Sequence, residues 1–351
     1  MDLLCLTRYG RLGASSRIRT MQYLDYFQDV GIRSTIYSLL ADEYVKKLYC
    51  GHRSLIAAAQ GYARHAWHVS HTRKVDRVLL EKELFPWLPA WVDELLLPSA
   101  PFVLDIDDAI FHNYDEHESW WVRRTLGRKI DGLMARAAVV CAGNEYLADR
   151  ARRAGAGEIA LIPSAVDLNR YTVGEIHRRK RPIVGWIGTP VTQGYLKLIA
   201  PALRDAVEQF NARIVLVGAN EEPKRWFPCE IRGWRESNEA DDILDFDVGV
   251  MPLPEAPWER GKCGYKLIQY MACARPVVAS PVGVNERLVI NGINGYLATG
   301  EASWLRALGE LLMDADARAA MGRRGRQIVE NGYCTAVTGP RYARVIRDLK
   351  A

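Results

Sequence analysis

The residues with the clearest chemical potential lie in the segment Pro252–Glu286. A loop rich in proline, glycine and charge (Pro252–Gly264) leads into a helical pattern that begins at Tyr265. The first turn of a helix offers backbone N–H groups that have no partner inside the helix, and the positive end of the helix dipole lies there. This combination suits a diphosphate. Lys262 and Lys266 add cationic charge beside the same terminus.

The same segment offers contacts for a sugar. Gln269 lies one turn after Lys266, so it can face the same ligand with a donor and an acceptor for hydroxyl groups. The helical pattern stops at Arg275-Pro276, an apolar strand pattern follows, and a second glycine-bearing loop carries Glu286. The segment therefore has the layout of a nucleotide-sugar site. The loop residues next to the helix are assigned to the same donor site: Cys263, Gly264 and Tyr265.

The segment KCGYKLIQYMACARPVVASPVGVNE (Lys262–Glu286) resembles the donor-binding motif of the retaining GT-B glycosyltransferases of family 4, the group 1 glycosyltransferases. This family resemblance implies an α/β fold of the GT-B type, with two Rossmann-like domains whose parallel sheets face each other across a cleft. Further blocks occur in family order and cover most of the chain: LDIDDAIFHN (Leu104–Asn113), CAGNEYLADRA (Cys141–Ala151), LIPSAVDLNRY (Leu161–Tyr171), GWIGTP (Gly185–Pro190) and FDVGVMPLP (Phe246–Pro254).

Two positions depart from the family pattern. Members usually carry two glutamates eight positions apart, and here Gly261 takes the first place and Gln269 the second. Glutamine can hydrogen-bond a ribose diol, but without charge. Gly261 has no side chain, so a contact there must come from the backbone, from Glu259 or from Lys262. These departures leave open a catalytically silent homologue that acts as a binding or partner subunit.

Composition describes a globular protein long enough for two domains. The chain has 351 residues, of which 49% are hydrophobic and 25% charged, and a net charge of +5 that does not by itself argue for nucleic acid. No apolar run approaches the ~18 residues needed to cross a bilayer, and the start MDLLCLTRYG resembles a strand rather than a signal peptide. Seven scattered cysteines without a CxxC motif fit a reducing cytoplasm and offer no metal site.

Strand and helix patterns alternate in two rounds, which predicts two parallel α/β layers. The polar, basic segment 169–182 ends in proline and is placed as the linker. This gives an N-terminal acceptor-binding domain at 1–172 and a C-terminal nucleotide-sugar donor-binding domain at 180–334. By resemblance, the C-terminal helix (335–351) packs back on the first domain. The predicted strands are 3–7, 34–37, 77–80, 102–105, 138–142, 159–162, 183–187, 213–217, 248–251 and 276–279, and the predicted helices include 18–30, 120–137, 195–210, 266–274, 302–314, 316–331 and 339–349.

Two candidate contacts lie in the first half of the chain. In the loop Tyr9–Arg19, Gly13 allows close backbone approach and Arg17 can reach a phosphate; the matching loop of the family approaches the donor. Asp107 ends a strand and lines up with a family histidine, so it is assigned to the reaction cleft as a sugar-hydroxyl or acceptor contact. An N-cap and salt-bridge cluster is the alternative. A metal-binding Asp-x-Asp over Asp105–Asp107 is discounted, because lysines and a helix terminus meet the phosphate charge.

In the second half, Gly188 and Thr189 follow a buried strand and resemble a phosphate-proximal turn. Lys197 is the only cation near that turn, which shifts the expected phosphate contact onto Lys262 and Lys266. Trp234 is a candidate to flank the nucleobase, although a lone aromatic residue more often serves packing.

A basic, aromatic-bearing stretch lies between Tyr44 and Leu80, and a second basic cluster comprises Arg123, Arg124, Arg128 and Lys129. Such a surface suits an anionic membrane that carries a lipid-linked acceptor, which would place the protein on the inner face of the cell membrane. A solvated helix face is the alternative, and nucleic acid is the least favoured partner. The basic residues of the first stretch are Lys46, Lys47, Arg53, Arg64, Arg73, Lys74 and Arg77.

The sequence therefore predicts a retaining glycosyltransferase that needs neither metal nor cofactor. It would move a sugar from a nucleotide diphosphate donor to a glycan or lipid-linked acceptor, in cell-surface polysaccharide synthesis. Lys262, Lys266 and helix-terminal amides would stabilise the leaving diphosphate. Besides the silent homologue, a GT-B nucleotide-sugar epimerase is an alternative, but it needs acids and bases around the sugar that the sequence does not show.

Overall fold

The structure is a computed structural model that describes residues 1–49, 51–52, 54–72 and 74–349. Arg53 and Arg73 of the basic stretch and the last two positions of the predicted C-terminal helix, 350 and 351, lie outside the described residues. The chain divides into two compact units. The first comprises Met1–Ser164, Arg260–Cys263 and the chain from Thr338 onward, and the second comprises Ala165–Glu259 and Gly264–Val337.

A parallel six-stranded sheet forms the centre of the first unit, with the strand order β2-β1-β3-β4-β5-β6. Its register places Leu6 opposite Leu80 and Leu80 opposite Leu104. These central strands are buried apolar runs, as expected for a parallel sheet covered on both faces. The strands are β1 (Asp2–Tyr9), β2 (Arg33–Leu40), β3 (Arg77–Glu81), β4 (Phe102–Ile106), β5 (Val139–Ala142) and β6 (Ile159–Leu161).

Short helices follow the strands of the first unit. Several begin with a side-chain cap: Ser54 accepts a hydrogen bond from Ala57 N, and Asn144 accepts one from Leu147 N. The helices are α1 (Ala14–Arg19), α2 (Leu24–Asp29), α3 (Asp42–Tyr49), α4 (Leu55–Ser70), α5 (Ala90–Leu96), α6 (His112–Asp115), α7 (Trp120–Leu126), α8 (Lys129–Arg136) and α9 (Glu145–Ala154), with a 3₁₀ turn at Met21–Tyr23.

The second unit has its own parallel six-stranded sheet, with the order β12-β11-β10-β7-β8-β9. Val184 lies opposite Ile214 on one side, and Gly249 lies opposite Val277 on the other edge of the central strands. The strands are β7 (Ile183–Ile187), β8 (Arg213–Val217), β9 (Glu230–Arg232), β10 (Val248–Met251), β11 (Val277–Ala279) and β12 (Gly295–Leu297).

Helices cover this sheet in two apolar layers, one that includes Leu267 and Tyr270 and one that includes Leu203 and Trp304. The helices of this unit are α10 (Ala200–Phe210), α11 (Glu239–Leu244), α12 (Pro257–Arg260), α13 (Tyr265–Ala272), α14 (Asn285–Leu288), α15 (Gly300–Met313) and α16 (Ala315–Gly332), with 3₁₀ helices at Gln193–Ile199 and Glu222–Arg225. The last helix, α17 (Thr335–Arg347), belongs to the first unit from Thr338 onward. In the first unit, Tyr342 of α17 packs edge-on against Tyr23 and Phe27.

The predicted α/β class with two rounds of parallel strands is confirmed, and each predicted strand is present. Two edge strands, β9 and β12, extend the second sheet beyond the strands predicted. The predicted strands β6 and β11 are equally short but are apolar throughout, whereas β9 has the sequence Glu-Ile-Arg and β12 begins with glycine, so neither forms a continuous apolar run.

Three predicted helices are interrupted. The helix expected at 18–30 breaks at Thr20, where φ is −124° and ψ is −60°. The helix expected at 120–137 breaks after Leu126 and resumes at Lys129, because Arg128 is not helical. The helix expected at 195–210 starts as a 3₁₀ helix and becomes α-helical at Ala200, beside Pro201, whose ring suits a first turn.

A buried ion pair joins α1 to the sheet of the first unit. The Arg19 guanidinium donates to both carboxylate oxygens of Asp105 at 2.9 and 2.6 Å, and to the Ile162 carbonyl at 2.7 Å. The two side chains are 1% and 0% exposed. One guanidinium therefore binds both carboxylate oxygens of Asp105 in β4 and the carbonyl of Ile162, which follows β6, and this ties the C-terminal end of α1 to the sheet.

Replacing Arg19 with leucine would leave the Asp105 carboxylate buried without its partner. We expect the Arg19→Leu variant to lose about 3–5 kcal/mol of unfolding free energy, measured by chemical denaturation followed by circular dichroism. Arg33 is the matched control, because its pair with Asp2 lies at the surface, where the Arg33 side chain is 79% exposed. Arg33→Leu should change stability by less than about 1 kcal/mol. Equal losses in the two variants would contradict this account.

Candidate functional site

The predicted site residues fall into two groups, one in each unit. The first unit holds Gly13, Arg17, Asp107, Lys262 and Cys263, and the second holds Gly188, Thr189, Trp234, Gly264, Tyr265, Lys266, Gln269 and Glu286. Each group is built from the ends of strands and the beginnings of helices, where ligands of parallel α/β sheets bind.

Lys82, which the sequence analysis did not select, is the centre of the first group. It follows β3 directly, is 5% exposed, and has a φ of 65°, a left-handed conformation that is uncommon for a residue with a side chain. Its Nζ lies 3.0 Å from Asp107 Oδ1 and 3.5 Å from Asp108 Oδ2, and it donates to Ser15 Oγ at 2.9 Å. The cluster thus joins the segments that follow β3 and β4 to the first turn of α1.

The charge of Asp107 is set by this cluster. Burial by itself would raise the pKa of Asp107, but the Lys82 ammonium, the Arg19 guanidinium and a hydrogen bond from Ser15 together hold the pKa below its usual value. The carboxylate therefore stays ionised, with a lysine rather than water as its main partner. Asp107 is available as an anionic contact and not as a proton donor.

The pKa of the neighbouring Glu81 is shifted in the opposite direction, upward. Burial raises the pKa of Glu81 to about 7, although Lys82 and hydrogen bonds from Ser16 and the Arg8 backbone act against burial. Ser16 Oγ donates to Glu81 Oε2 at 2.6 Å, and Arg8 N donates to the same oxygen at 3.1 Å. The cluster therefore combines a fixed negative charge with a second carboxyl group that changes protonation near neutral pH.

Lys262 and Cys263 belong to the same part of the first unit. Asn144 Nδ2 donates to the Gly261 carbonyl at 2.9 Å and to the Lys262 carbonyl at 3.0 Å, while Asn144 Oδ1 caps α9. Cys263 Sγ donates to the Asp107 carbonyl at 3.1 Å, and Lys262 Nζ lies 3.6 Å from Asp108 Oδ1. The structure therefore brings three predicted residues, Asp107, Lys262 and Cys263, to one place.

Packing explains the glycine at position 261. A Cβ atom on Gly261 would lie 2.5 Å from Ala109 Cβ and 2.6 Å from Ala109 N. Real Cβ atoms do not approach backbone this closely, so the glutamate of the family pattern cannot enter without a backbone shift. Of the neighbours considered as replacements, Glu259 is buried in the second unit with its carboxylate hydrogen-bonded by the Tyr195 hydroxyl.

The loop after β1 is tightly packed. A Cβ on Gly13 would overlap the Tyr9 side chain, so only glycine fits there. Arg17 is 6% exposed, and its Nη1 donates to the Arg11 carbonyl at 3.1 Å. The guanidinium that the sequence suggested for a phosphate is therefore folded into its own loop.

In the second unit, the beginning of α13 packs against α14. Gly264 precedes α13 with a φ of 66°, and a Cβ on Gly264 would overlap the Leu288 side chain. Asn285 is fully buried, and its Nδ2 donates to the Ser280 carbonyl at 3.0 Å. Its Oδ1 accepts no hydrogen bond among the described residues. A buried acceptor thus lies near the N-terminus of α13, and Glu286 follows it as an exposed residue of α14.

Trp186 brings Lys266 and Gly188 together. The Lys266 ammonium lies 5.7 Å from the centre of the Trp186 ring, and a Cβ on Gly188 would overlap the same ring. Thr189 follows in a turn whose carbonyl accepts from Thr192 N at 2.9 Å. The predicted phosphate lysine and the predicted phosphate-proximal turn are therefore neighbours.

Lys197 is directed elsewhere. Its Nζ lies 3.4 Å from Glu222 Oε1 and 4.6 Å from the centre of the Trp226 ring. That the phosphate contact rests on other residues than Lys197 stays a prediction.

Gln269 and Trp234 are linked by two buried residues that the sequence analysis did not assign to the site. Gln269 Nε2 donates to the Tyr171 hydroxyl at 2.9 Å, and that hydroxyl donates to the Glu239 carboxylate. Trp234 Nε1 donates to Glu239 Oε2 at 2.6 Å. Burial, with Tyr265 and Glu239 nearby, raises the pKa of Tyr171 well above its usual value, so the hydroxyl remains a donor. Nothing in the sequence pairs residues 171 and 239.

The second basic cluster needs one correction. Lys129 is buried rather than presented to a partner, because its Nζ lies 3.0 Å from Glu83 Oε2 and 3.2 Å from Asp93 Oδ2. Arg124 and Arg128 are exposed. In the first basic stretch, burial lowers the pKa of His65 to about 4, so this histidine is neutral at physiological pH.

One group among the described residues has the atoms to hold a metal ion: His112, Asp115 and Glu116, whose candidate ligand atoms lie within 4.8 Å of one another. Protein partners already engage two of the three. His112 Nε2 lies 2.8 Å from the Tyr146 hydroxyl, and Arg150 Nη1 lies 2.9 Å from Asp115 Oδ2. The group is therefore accounted for as an ion-pair cluster.

Within the described ranges, no helix has both the length and the apolar character required to cross a membrane.

Residues 181–314, which lie in the second unit, match the family model described as Glycosyl transferases group 1. A curated glycogen synthase from Hydrogenovibrio crunogenus is 26% identical over 133 residues, which is 35% of this chain and 26% of that protein. The chain thus aligns with about a quarter of the length of that relative.

Solved structures are similar over nearly the whole chain. Sucrose-phosphate synthase from Thermosynechococcus elongatus has a TM-score of 0.73 at 16% identity and covers 99% of both chains. HepE from Anabaena in complex with UDP-glucose has a TM-score of 0.73 at 18% identity, with 99% and 100% coverage. WaaG, a glycosyltransferase involved in lipopolysaccharide biosynthesis, has a TM-score of 0.70 at 12% identity, with the same coverage.

The fold is therefore the GT-B fold, with two Rossmann-like units that each contain a parallel six-stranded sheet. Within the second unit, residues 181–314 are similar to group 1 glycosyl transferases.

Restoring the family glutamate at position 261 tests the packing explanation. Because the new side chain would meet Ala109 at 2.5 Å, we expect Gly261→Glu to destabilise the protein by about 1–3 kcal/mol, measured by thermal denaturation. Gly157→Glu is the control in the same unit, because nothing lies within 4 Å of a Cβ at Gly157. An unchanged melting temperature for Gly261→Glu would show that this position has room for a side chain.

Proposed function

We propose that this protein is a retaining glycosyltransferase of family 4 that moves a sugar from a nucleotide diphosphate sugar to a glycan or lipid-linked acceptor. One observation carries the proposal. The segment that matches group 1 glycosyl transferases contains Lys266 in the first turn of α13, next to the Gly188 turn. A cation, a helix N-terminus and a glycine turn at one place form a binding site for a diphosphate.

The donor would occupy the second unit. The first-turn amides of α13 and the Lys266 ammonium would bind the diphosphate, and the buried Asn285 Oδ1 would accept a hydrogen bond from a donor hydroxyl group. Gln269 and Trp234, held by the Tyr171–Glu239 pair, would shape the nucleoside end of the site. A uridine diphosphate sugar is the first donor to test, because the similar HepE structure contains UDP-glucose.

The proposed chemistry needs positive charge more than a base. The anomeric C–O bond breaks as negative charge grows on the diphosphate, and Lys262, Lys266 and helix amides would stabilise that charge. Retention implies attack on the same face of the sugar, with the leaving phosphate taking the acceptor proton. Asp107 would contact a sugar or acceptor hydroxyl as an anion, and Lys82 would hold Asp107 in position.

The cations that contact Asp105 and Asp107 support a reaction without metal. Arg19 occupies both oxygens of Asp105, and Lys82 lies 3.0 Å from Asp107. A divalent cation would have to displace or repel these two cations. The proposed enzyme therefore uses no metal and no cofactor beyond its nucleotide-sugar substrate.

The acceptor is proposed to belong to the cell surface. The similar WaaG structure comes from lipopolysaccharide biosynthesis, and its chain is covered completely. A lipid-linked or membrane-bound glycan acceptor would be met on the inner face of the cell membrane, where nucleotide sugars are present in the cytoplasm. We propose this location for the protein.

A second candidate is a catalytically silent homologue that binds a donor or a partner without turnover. The specific observation in its favour is the pair of departures at Gly261, which has no room for a side chain, and Gln269, whose amide is already donated to Tyr171. Donor binding without transfer to any acceptor would favour this candidate.

Calorimetric titration with UDP, GDP and their sugar conjugates, in the presence of EDTA, tests the proposed donor site. We expect one nucleotide to bind, and we expect Lys266→Ala to weaken binding about 10- to 100-fold, the equivalent of one charged hydrogen bond. Lys197→Ala is the control and should bind normally, because Lys197 pairs with Glu222. Binding that requires added Mg²⁺ would contradict metal independence, and no binding of any nucleotide would contradict the proposed donor site.

The proposed role of Lys82 is tested by separating turnover from donor binding. Without the Lys82 ammonium, Asp107 loses the partner that positions it, so Lys82→Met should reduce kcat about 100-fold. Donor affinity measured by calorimetry should change much less than kcat, because the residues proposed to bind the donor, Lys266, Gln269 and Trp234, lie in the second unit. Lys82→Arg should recover part of the rate, and the exposed Lys46→Met should behave like the wild type. An unchanged kcat in Lys82→Met would remove the cluster from the reaction.

A further inference from the structure

The segment Arg260–Cys263 is distant in sequence from the rest of the first unit but belongs to that unit. It contacts the residues that follow β4 and those that follow β5, two strands that pair in parallel with Ile106 opposite Ala142. The carboxyl ends of parallel strands are where α/β proteins bind their ligands. We call Arg260–Cys263 the docked segment, because three consecutive residues of it are held at this edge of the sheet.

Asn144, which follows β5, holds the backbone of the docked segment. Its amide nitrogen carries two hydrogens and donates to the Gly261 carbonyl at 2.9 Å and to the Lys262 carbonyl at 3.0 Å. Its Oδ1 accepts from Leu147 N at 3.0 Å and caps α9. The residue is buried. Asn144 therefore takes its own position from a helix end and binds two consecutive carbonyls of the docked segment.

Glycine allows close packing on both sides of this contact. A Cβ on Gly143 would lie 2.3 Å from Cys263 Sγ, and a Cβ on Gly261 would lie 2.5 Å from Ala109 Cβ. Cys263 Sγ also donates to the Asp107 carbonyl at 3.1 Å, and burial raises the pKa of this thiol, so it keeps the hydrogen that it donates. The docked segment is thus packed against the first unit as well as hydrogen-bonded to it.

Docking places the Lys262 ammonium beside the Lys82 cluster. Lys262 Nζ lies 3.6 Å from Asp108 Oδ1, and Lys82 Nζ lies 3.5 Å from Oδ2 of the same carboxylate. The Lys262 side chain is 17% exposed, so solvent still reaches it. Because a lysine side chain is a flexible four-carbon chain, its ammonium occupies a defined place only when its backbone is fixed. The hydrogen bonds from Asn144 fix that backbone.

We propose that Asn144 is a positioning residue for the transfer reaction, because it holds the docked segment so that the Lys262 ammonium can stabilise the leaving diphosphate. The role in transfer rests on the proposed function, whereas the docking does not. Asn144 acts through Lys262 and needs no contact with the substrate. Its loss should therefore reduce turnover, during which charge grows on the diphosphate, more than it reduces donor binding.

Two substitutions remove the amide hydrogens of Asn144 and keep the helix cap. Asn144→Ser and Asn144→Asp both retain a side-chain oxygen that can cap α9. The aspartate also turns a second carboxylate oxygen toward the two carbonyls that the amide bound, and these oxygens repel one another. The serine variant lacks this repulsion and serves if the aspartate variant does not fold.

Turnover is measured as release of UDP from UDP-glucose with water as the acceptor. The anomeric C–O bond breaks, the water oxygen bonds to the anomeric carbon, UDP leaves with the bonding electrons, and the water loses a proton. We expect the rate to fall about 10-fold in Asn144→Ser and about 100-fold in Asn144→Asp. Affinity for intact UDP-glucose, in which this charge has not yet developed, should change less than about threefold by calorimetry.

A double-variant cycle separates positioning from a general structural role. If Asn144 acts through Lys262, Asn144→Ser should not slow UDP release further in a protein that already carries Lys262→Met. Additive losses in the double variant would overturn the proposal. Ser54→Ala is the matched control, because it removes the side-chain cap of a different helix of the same unit, α4. It should release UDP at the wild-type rate.

Trypsin digestion tests the docking without any enzyme assay. Cleavage after Lys262 requires the docked segment to leave its place, and its rate follows the population of that open form. We expect Asn144→Asp to be cut there about 10-fold faster than the wild type, measured by mass spectrometry. Cleavage after the buried Lys129, whose side chain is 0% exposed, reports unfolding of the unit and should not change.

Equal cleavage after Lys262 in the wild type and in Asn144→Asp would overturn the proposal. Unchanged UDP release in both Asn144 variants would overturn it as well. If Asn144→Asp is also cut faster after Lys129, its fold is lost, and the same measurements on Asn144→Ser decide. A wild type that binds no nucleotide, or releases no UDP, would contradict the proposed function instead, and the trypsin result would still decide whether Asn144 holds the docked segment.

Discussion

Lys82 carries a positive charge where only 5% of its surface is exposed, and an unpaired charge in such a place is strongly destabilising. Its pairing with Asp107 and Asp108 therefore fixes the ends of β3 and β4 relative to each other. The hydrogen bond to Ser15 extends the constraint to the first turn of α1. One ammonium group thus connects three segments that would meet an acceptor, and Lys82 itself has a left-handed backbone conformation.

The second unit contains the candidate donor site. This site depends on close packing at glycine. Gly264 admits Leu288 and Gly188 admits the Trp186 ring, so helix N-terminus, turn and lysine come together without side chains between them. Backbone amides can bind an anion without a cluster of like-charged side chains, which would destabilise the protein when no anion is bound. A glutamine is accommodated at position 269 because its side-chain amide donates a hydrogen bond to the Tyr171 hydroxyl.

Strand and helix patterns were predicted well from the sequence where they were long and apolar, as in β7 and β8, because hydrophobic periodicity is a local property. The motif around Lys262–Gln269 was found from residue type and spacing. The errors have separate causes. Lys129 looked like a surface cation, since a sequence does not show that Glu83 and Asp93 lie beneath it. Strands β9 and β12 lack the continuous apolar run that made the equally short β6 and β11 recognisable.

By itself, the sequence determined the class of fold, the order of its elements and the segment that resembles a donor site, because each depends on neighbours along the chain. Tertiary structure alone decided three other matters. It showed that Gly261 is required by Ala109, that Lys82 organises Asp107, and that Tyr171 and Glu239 connect Gln269 to Trp234. These contacts join residues far apart in sequence. They follow from how the sheets and helices pack, which no local pattern of residue types encodes.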